Sequence, residues 1–178
     1  MASLEVLQFP DPRLKDVSEP VPAIDDALRS LADEMLQVMY DEPGIGLAAP
    51  QVGHRIRLVV MDTQWTDEHA ERAPTVIVNP EIVTREGKVT WEEGCLSVPD
   101  FTAEVERSEH IVVRYQNLEG EEVTEDVTGL RAVCFQHEID HLDGVLFIDR
   151  ISRLKRGMYV KRRKKQLRLE EEPASLGT

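Results

Sequence analysis

Two histidines one helical turn apart, with an acid beside the first, make the most chemically loaded stretch of the chain. It is His137-Glu138-Ile139-Asp140-His141, inside "FQHEIDHLDG". Helical residues four apart share a face, with Cβ atoms about 5–6 Å apart. Two imidazoles so placed can reach one cation through bonds of about 2.0–2.1 Å. Glu138 then overhangs the open side of that cation, where a water would sit and give up a proton. Two histidines do not complete a site, because a catalytic ion of this kind takes a third protein ligand and keeps one position open. Downstream, Asp143 lies too near along the chain and Glu170, Glu171 and Glu172 belong to the tail. Upstream, Cys95 in "WEEGCLSVP" follows a glycine and would bind as a thiolate. A small buried apolar residue is the other reading of Cys95.

A third segment, "GIGLAAPQ" at 44–51, joins small residues to a neutral side chain that both donates and accepts. Gly44 and Gly46 leave space for a ligand to approach the backbone. The segment lacks the Lys-Ser/Thr of a phosphate-binding loop, which removes support for nucleotide binding. By itself it reads more readily as a plain turn than as a site.

The elements that must position these groups follow from periodicity. Residues 23–42 carry Leu28, Leu31, Met35, Leu36, Val38 and Met39 at helical spacing behind an acidic first turn, which predicts an amphipathic helix. Residues 54–62, 75–84, 110–118 and 121–128 read as strands, the last two joined as a hairpin through "LEGEE". Residues 63–74 read as a polar surface loop, and His54, His69 and His110 as surface or loop histidines. Gly129 separates strand from the histidine helix, which Asp143-Gly144 closes. A basic helix ends the chain. The expected class is α+β: largely antiparallel sheets around a central His-Glu-x-x-His helix, with a long N-terminal and a C-terminal helix. Residues 1–168 read as one catalytic domain, with the basic helix at about 151–168 and a frayed tail at 169–178.

The net charge of −13 is unevenly spread. Between Arg150 and Arg168 lie ten bases and no acid, which leaves 34 acids against the other 11 of 21 bases. Such a segment points to an anionic partner, the plainer alternative being a solvated helix face. No apolar run approaches the roughly 18 residues of a membrane span, and "MASLEVLQFPDPRLK" has no signal-peptide or transit character. The expectation is a soluble cytoplasmic protein whose Cys95 and Cys134 are separate reduced thiols.

"GIGLAAPQ", "EGCLS" and "QHEIDH", in this order and spacing, resemble the three signature motifs of the peptide deformylases. The likeness extends to "VLQFPDPRLK", the first long helix and the helical C-terminus, and so covers nearly the whole chain. It implies that Cys95, His137 and His141 bind one divalent metal, with Fe2+ first and Zn2+, Ni2+ or Co2+ as substitutes. It implies Glu138 as general base and then acid, and Gln51 and the Leu96 N–H as donors to the formyl oxygen. Leu130 and Val133 would line the methionine pocket, and Ile45, Gly46 and Gly94 would meet the substrate backbone. The implied reaction removes the formyl group from the formyl-methionyl end of newly made proteins, releasing formate. The implied partners are nascent chains and, through the basic helix, the ribosome near its exit tunnel; no membrane, and a monomer. Many relatives carry Arg or Tyr near Phe101-Thr102, and this sequence has neither. Glu93 and Arg107 read as an ion pair behind the Cys95 loop or as a surface pair.

Two rivals share parts of the pattern. A zincin-type metallopeptidase has the same histidine motif but not the upstream cysteine or the Gln51 loop. A metal-stabilised binding module would have no use for Glu138.

Overall fold

The computed structural model describes residues 4–65 and 70–172; part of the expected 63–74 loop, including His69, and the tail from 173 lie outside the described residues. The first helix, α1 (Asp26–Asp41), starts where Asp25 accepts from the Leu28 N–H at 2.9 Å. Its buried Leu28, Ala32, Met35 and Met39 recur at helical spacing and face a cluster that includes Leu47, Leu58, Val60 and Val78.

Five antiparallel strands form the main sheet: β1 (Gly46–Ala48), β2 (Leu58–Met61), β3 (Thr75–Glu86), β6 (His110–Gln116) and β7 (Glu122–Thr128), hydrogen-bonded in that order. Strands β4 (Val89–Cys95) and β5 (Val98–Arg107) pair separately as a two-stranded sheet. In β6, buried Ile111, Val113 and Tyr115 alternate with more exposed neighbours, the period expected of a half-buried strand. The α+β expectation holds. Two details differ from the sequence reading. Residues 54–62 yield only a four-residue strand, because Gly53 at φ 85 ends a tight turn and only Ile56 bridges across, to Glu19. Strands β4 and β5 were not anticipated at all.

The central helix α2 (Gly129–Leu142) is buried without a break over residues 132–142. Its apolar side joins the sheet in one cluster through Ala132, Phe135, Ile139 and Leu142. After it, Gly144 takes φ 74 and lies so close to the preceding N-terminal segment that a Cβ there would stand 2.3 Å from the Lys15 carbonyl oxygen. Only glycine fits that crossing. The last helix, α3 (Arg153–Glu171), is capped by Ser152, which accepts from the Lys155 N–H at 3.2 Å. It buries only Tyr159 and Arg163, the latter donating to the Phe9 carbonyl at 2.9 Å.

On the far side of the sheet His110 lies between two carboxylates, 3.2 Å from Glu86 and in contact with Asp126. Hydrogen bonding to Asp126, then to Glu86, raises its pKa above the ordinary 6.5. The charged imidazole is therefore favoured by folding, a contribution present in full below the unfolded value and lost as pH rises through the folded one. A proton NMR titration of His110 should give a midpoint above 6.5, and Asp126→Asn should move it down. A midpoint at or below the ordinary value would contradict this arrangement.

Candidate active site

The His137 and His141 side chains leave α2 one turn apart, and their Nε2 atoms stand 3.2 Å from each other. Cys95 ends β4, where the ladder with β5 shifts register and a tight turn brings Cys95 opposite Val98. That turn delivers its Sγ to 3.3 Å from His141 Nε2. The three ligand atoms all lie within 4.8 Å of one another. Tetrahedral bonds of about 2.0–2.3 Å from one ion would separate such donors by ~3.3–3.6 Å, so the trio has the spacing a metal requires. A thiolate with two imidazoles is also a donor set that suits iron, zinc, cobalt or nickel.

Glu138 lies beside this trio. Burial pushes its pKa up to about 7, and its Oε2 is buried with no hydrogen-bond partner among the described residues. Its Oε1 occupies the space a side chain at Gly46 would take, since a Cβ there would stand 2.7 Å away. His141 Nδ1 is likewise buried and unpaired. Burial opposes a proton on His137, yet Cys95 and Glu93 outweigh it and hold its pKa well above the usual range. Burial and then the neighbouring His137 charge push His141 the other way.

Gln51 is almost fully buried at 1% exposure. Its Oε1 accepts from the Ala48 N–H at 2.9 Å, which turns Nε2 toward Ser97 Oγ at 3.0 Å and Cys95 Sγ at 3.6 Å. A cavity of about 590 Å³ opens onto the whole group. Of the residues singled out in the sequence, Ile45, Gly46, Gln51, Gly94, Cys95, Leu96, Leu130, Val133, His137 and Glu138 all line it, and His141 stands behind the lining. Trp91, Cys134 and Phe101 line it as well. Among the lining residues Thr102 donates to Glu92 at 2.9 Å, and Arg162 of α3 donates to the Asp100 carbonyl at 2.7 Å.

Glu93 and Arg107 form a buried pair. Arg107 donates through Nε and Nη2 to the two Glu93 oxygens, each at 2.8 Å. Glu93 Oε1 also lies 2.8 Å from His137 Nδ1, which leaves Nε2 of that ring to face the metal position. Burial works against the Glu93 charge, but Arg107 and then His137 outweigh it and lower its pKa. The chain of charges continues: Arg107 Nη1 donates to Asp140 at 2.6 Å, and Arg150 donates to both Asp140 oxygens at 2.5 and 2.8 Å. Sequence reasoning missed Ser97, Asp140 and Arg150. Asp140 sits inside the histidine motif, three residues after His137, and that spacing was the one available signal.

The chain matches the family model described as polypeptide deformylase over residues 3–157. It is 54% identical over 156 residues to the peptide deformylase of Alkalilimnicola ehrlichii, covering 88% of this chain and 86% of that one. To the peptide deformylase of Phenylobacterium zucineum it is 53% identical over 166 residues, covering 93% and 97%. Among solved structures, a peptide deformylase from Legionella pneumophila superposes with a TM-score of 0.86 at 41% identity, covering 97% of this chain and 99% of that one. One from Ehrlichia chaffeensis in complex with actinonin gives 0.86 at 39% identity, covering 93% and 98%.

The buried charge chain generates a stability prediction. Arg107→Met should leave two buried carboxylates without their shared partner, at a cost of about 3–5 kcal/mol in urea denaturation. The same variant should bind cobalt or zinc at least about tenfold more weakly, because Glu93 no longer has a fixed orientation behind His137. A variant with wild-type midpoint and wild-type metal affinity would show the network to be dispensable.

Proposed function

The chain belongs to the polypeptide deformylase family, and from that premise we propose that it hydrolyses the N-formyl group of formyl-methionyl nascent peptides, releasing formate and a free N-terminus. The observation that carries this reading is the convergence of Cys95, His137 and His141 beside an unpaired buried carboxylate, Glu138, on one cavity. Those three residues would hold one divalent ion, Fe2+ by preference, with Zn2+, Ni2+ or Co2+ as substitutes. When bound, the ion would polarise a carbonyl and acidify a water, bringing its pKa down toward about 7.

A formamide is a poor electrophile with a poor leaving group, and the protein groups address both ends. Glu138 takes the proton of the attacking water at its unpaired Oε2 and later hands it to the departing amine, a role commonly worth about 10²–10⁴-fold. Burial suits Glu138 to both steps by bringing its pKa near neutrality. Negative charge grows on the formyl oxygen as the carbon becomes tetrahedral. Gln51 Nε2, held by its own carbonyl bond to Ala48, and the Leu96 N–H meet that charge, each worth roughly 2.7–4 kcal/mol in comparable sites.

Strand β1 lies at the edge of the main sheet and β4 across the cavity from it, both contributing to the lining. An extended peptide fits between them, its backbone meeting Ile45 and Gly46 on one side and Gly94 on the other. Leu130 and Val133, on the first turns of α2, take the methionine side chain. No helix among the described residues is long and apolar enough to cross a membrane. We assign the enzyme to the cytoplasm as a monomer. The exposed cations of α3 give it an anionic docking site on the ribosome near the exit tunnel.

Two experiments test this reading. Anaerobically prepared protein should release formate from a formyl-methionyl peptide, and Glu138→Gln should keep its metal while losing at least about 10²-fold in kcat. Cleavage of an unformylated peptide with no formate would sink the proposal. For the docking role, deleting α3 would also remove the buried Tyr159 and Arg163 and uncover Phe9 and Phe101, on which Tyr159 packs, so charge reversal is the cleaner probe. Lys161, Lys164, Lys165 and Arg168 changed together to Glu should weaken co-sedimentation with ribosomes and flatten its salt dependence, with hydrolysis of a short peptide intact. Undiminished co-sedimentation would remove the ribosome from the account.

A further inference from the structure

The cavity wall at residues 43–45 connects α1 to β1 and has no strand ladder of its own. It is held by three N–H hydrogen bonds, beside a contact from Cys134 Sγ to the Ile45 carbonyl at 3.8 Å. The Gly44 N–H donates to the Met39 carbonyl at 2.8 Å, and the Asp62 N–H donates to the Ile45 carbonyl at 2.9 Å. The third comes from a side chain: Trp65 Nε1 donates to the Gly44 carbonyl at 3.1 Å. Trp65 stands outside the cavity lining.

The indole is itself fixed. Asp62, fully buried at 0% exposure, accepts from the Tyr40 hydroxyl at 2.6 Å and from the Ala73 N–H at 2.8 Å through one oxygen. Through the other it accepts from the N–H groups of Gln64 at 3.0 Å and Trp65 at 3.3 Å. This single carboxylate ties the end of α1 to both ends of the segment that carries Trp65. The Tyr40 ring meets the Trp65 ring edge-on at 5.3 Å, and the Arg72 guanidinium lies 4.1 Å from the Tyr40 centroid. Among the described residues the indole N–H has one acceptor, the Gly44 carbonyl.

We infer that Trp65 is a positioning residue for the peptide groove, acting through the Gly44 carbonyl on the wall along which the substrate backbone lies. The inference rests on the reading of the cavity as a formyl-peptide groove. The wall has little slack, because a Cβ at Gly44 would come within 3.2 Å of Leu96 Cδ1. A small displacement of Gly44 therefore changes the width of the groove against Leu96. Cys95 ends β4 with Leu96 next to it, and His137, Glu138 and His141 stand on α2. Gln51 is fixed by its own bond from the Ala48 N–H, and none of these groups hydrogen-bonds to Gly44. Losing the indole bond weakens the hold on the peptide and spares the reaction.

The test compares wild type with Trp65→Phe, which keeps an aromatic ring against Tyr40 and removes only the N–H. KM for a formyl-methionyl tripeptide should rise roughly three- to tenfold, the loss expected of one neutral hydrogen bond, with kcat within about twofold. Formyl-methionine amide, which has no residues to lay along the wall, should show little change. An unchanged KM for the tripeptide, or an equal fall in kcat for both substrates, overturns the inference. Amide hydrogen exchange of residues 44–46 without substrate supplies a readout independent of turnover. It should quicken in Trp65→Phe, and unchanged exchange overturns the inference even for a protein that releases no formate. Absence of formate from wild type with quickened exchange counts instead against the proposed function. Should Trp65→Phe fold poorly, Tyr40→Phe removes the hydroxyl bond to Asp62, and its tripeptide KM should rise in the same direction; no rise overturns the inference.

Discussion

A helix buried on every side cannot carry polar side chains unless each finds a partner, and α2 carries five of them: Gln136, His137, Glu138, Asp140 and His141. That constraint organises the molecule. Gln136 is met by the Ser108 carbonyl at 2.9 Å and by the Ala132 carbonyl of its own helix at 3.1 Å. His137 is met by Glu93, and Asp140 by Arg107 and Arg150. The unpaired remainder is Glu138 Oε2 and His141 Nδ1, both on the residues that face the chemistry. An unmet buried polar atom costs about 1–3 kcal/mol. The fold accepts that cost at Glu138, the proposed proton carrier, and at His141, a proposed metal ligand, and avoids it along the rest of the helix.

The surrounding elements follow from the same requirement. Charged partners for α2 must come from a layer that is itself buried, and the β4–β5 hairpin supplies it. Glu93 from β4 and Arg107 from β5 point inward together, with side-chain exposures of 6% and 3%. The hairpin's tight end then delivers Cys95 to the histidines. On the opposite side, β1 must pass close enough to confine Glu138, which only a glycine at position 46 permits. Three apolar clusters close around these polar contacts, one joining α2 to the main sheet, one under α1, and one between the hairpin and α3.

How much of this the sequence disclosed depends on distance along the chain. The histidine pair was legible because its geometry is set within one helical turn, and α1 because its buried residues repeat at helical spacing. Cys95 and Gln51 lie far upstream, so their roles came from the resemblance of whole motifs and not from periodicity. Strands β4 and β5 went unrecognised for a physical reason. The inward positions of β4 include Glu93, and β5 ends inward on Arg107, so the alternation of apolar and polar residues breaks where the strands serve the site. Asp62 was hidden in the same way. A carboxylate next to a polar loop reads as solvated, and only the folded chain shows four donors converging on it.

The basic helix stands in a different relation to the site than its charge suggests. Tyr159 of α3 stacks on Phe101 at 4.8 Å, Phe101 on Phe147 at 6.0 Å, and Phe147 on the His137 ring at 6.1 Å and 27°. An unbroken run of rings thus connects α3 to a proposed metal ligand. His137 is constrained twice: by a charged hydrogen bond at Nδ1, which sets where the ring points, and by Phe147 against its face, which sets the plane it lies in. The first constraint is electrostatic and the second steric, so neither substitutes for the other. The helix whose outer face carries the cations supports, on its inner face, the aromatic layer that keeps the imidazole in place. The exposed cations and the aromatic support of a proposed metal ligand therefore share one element.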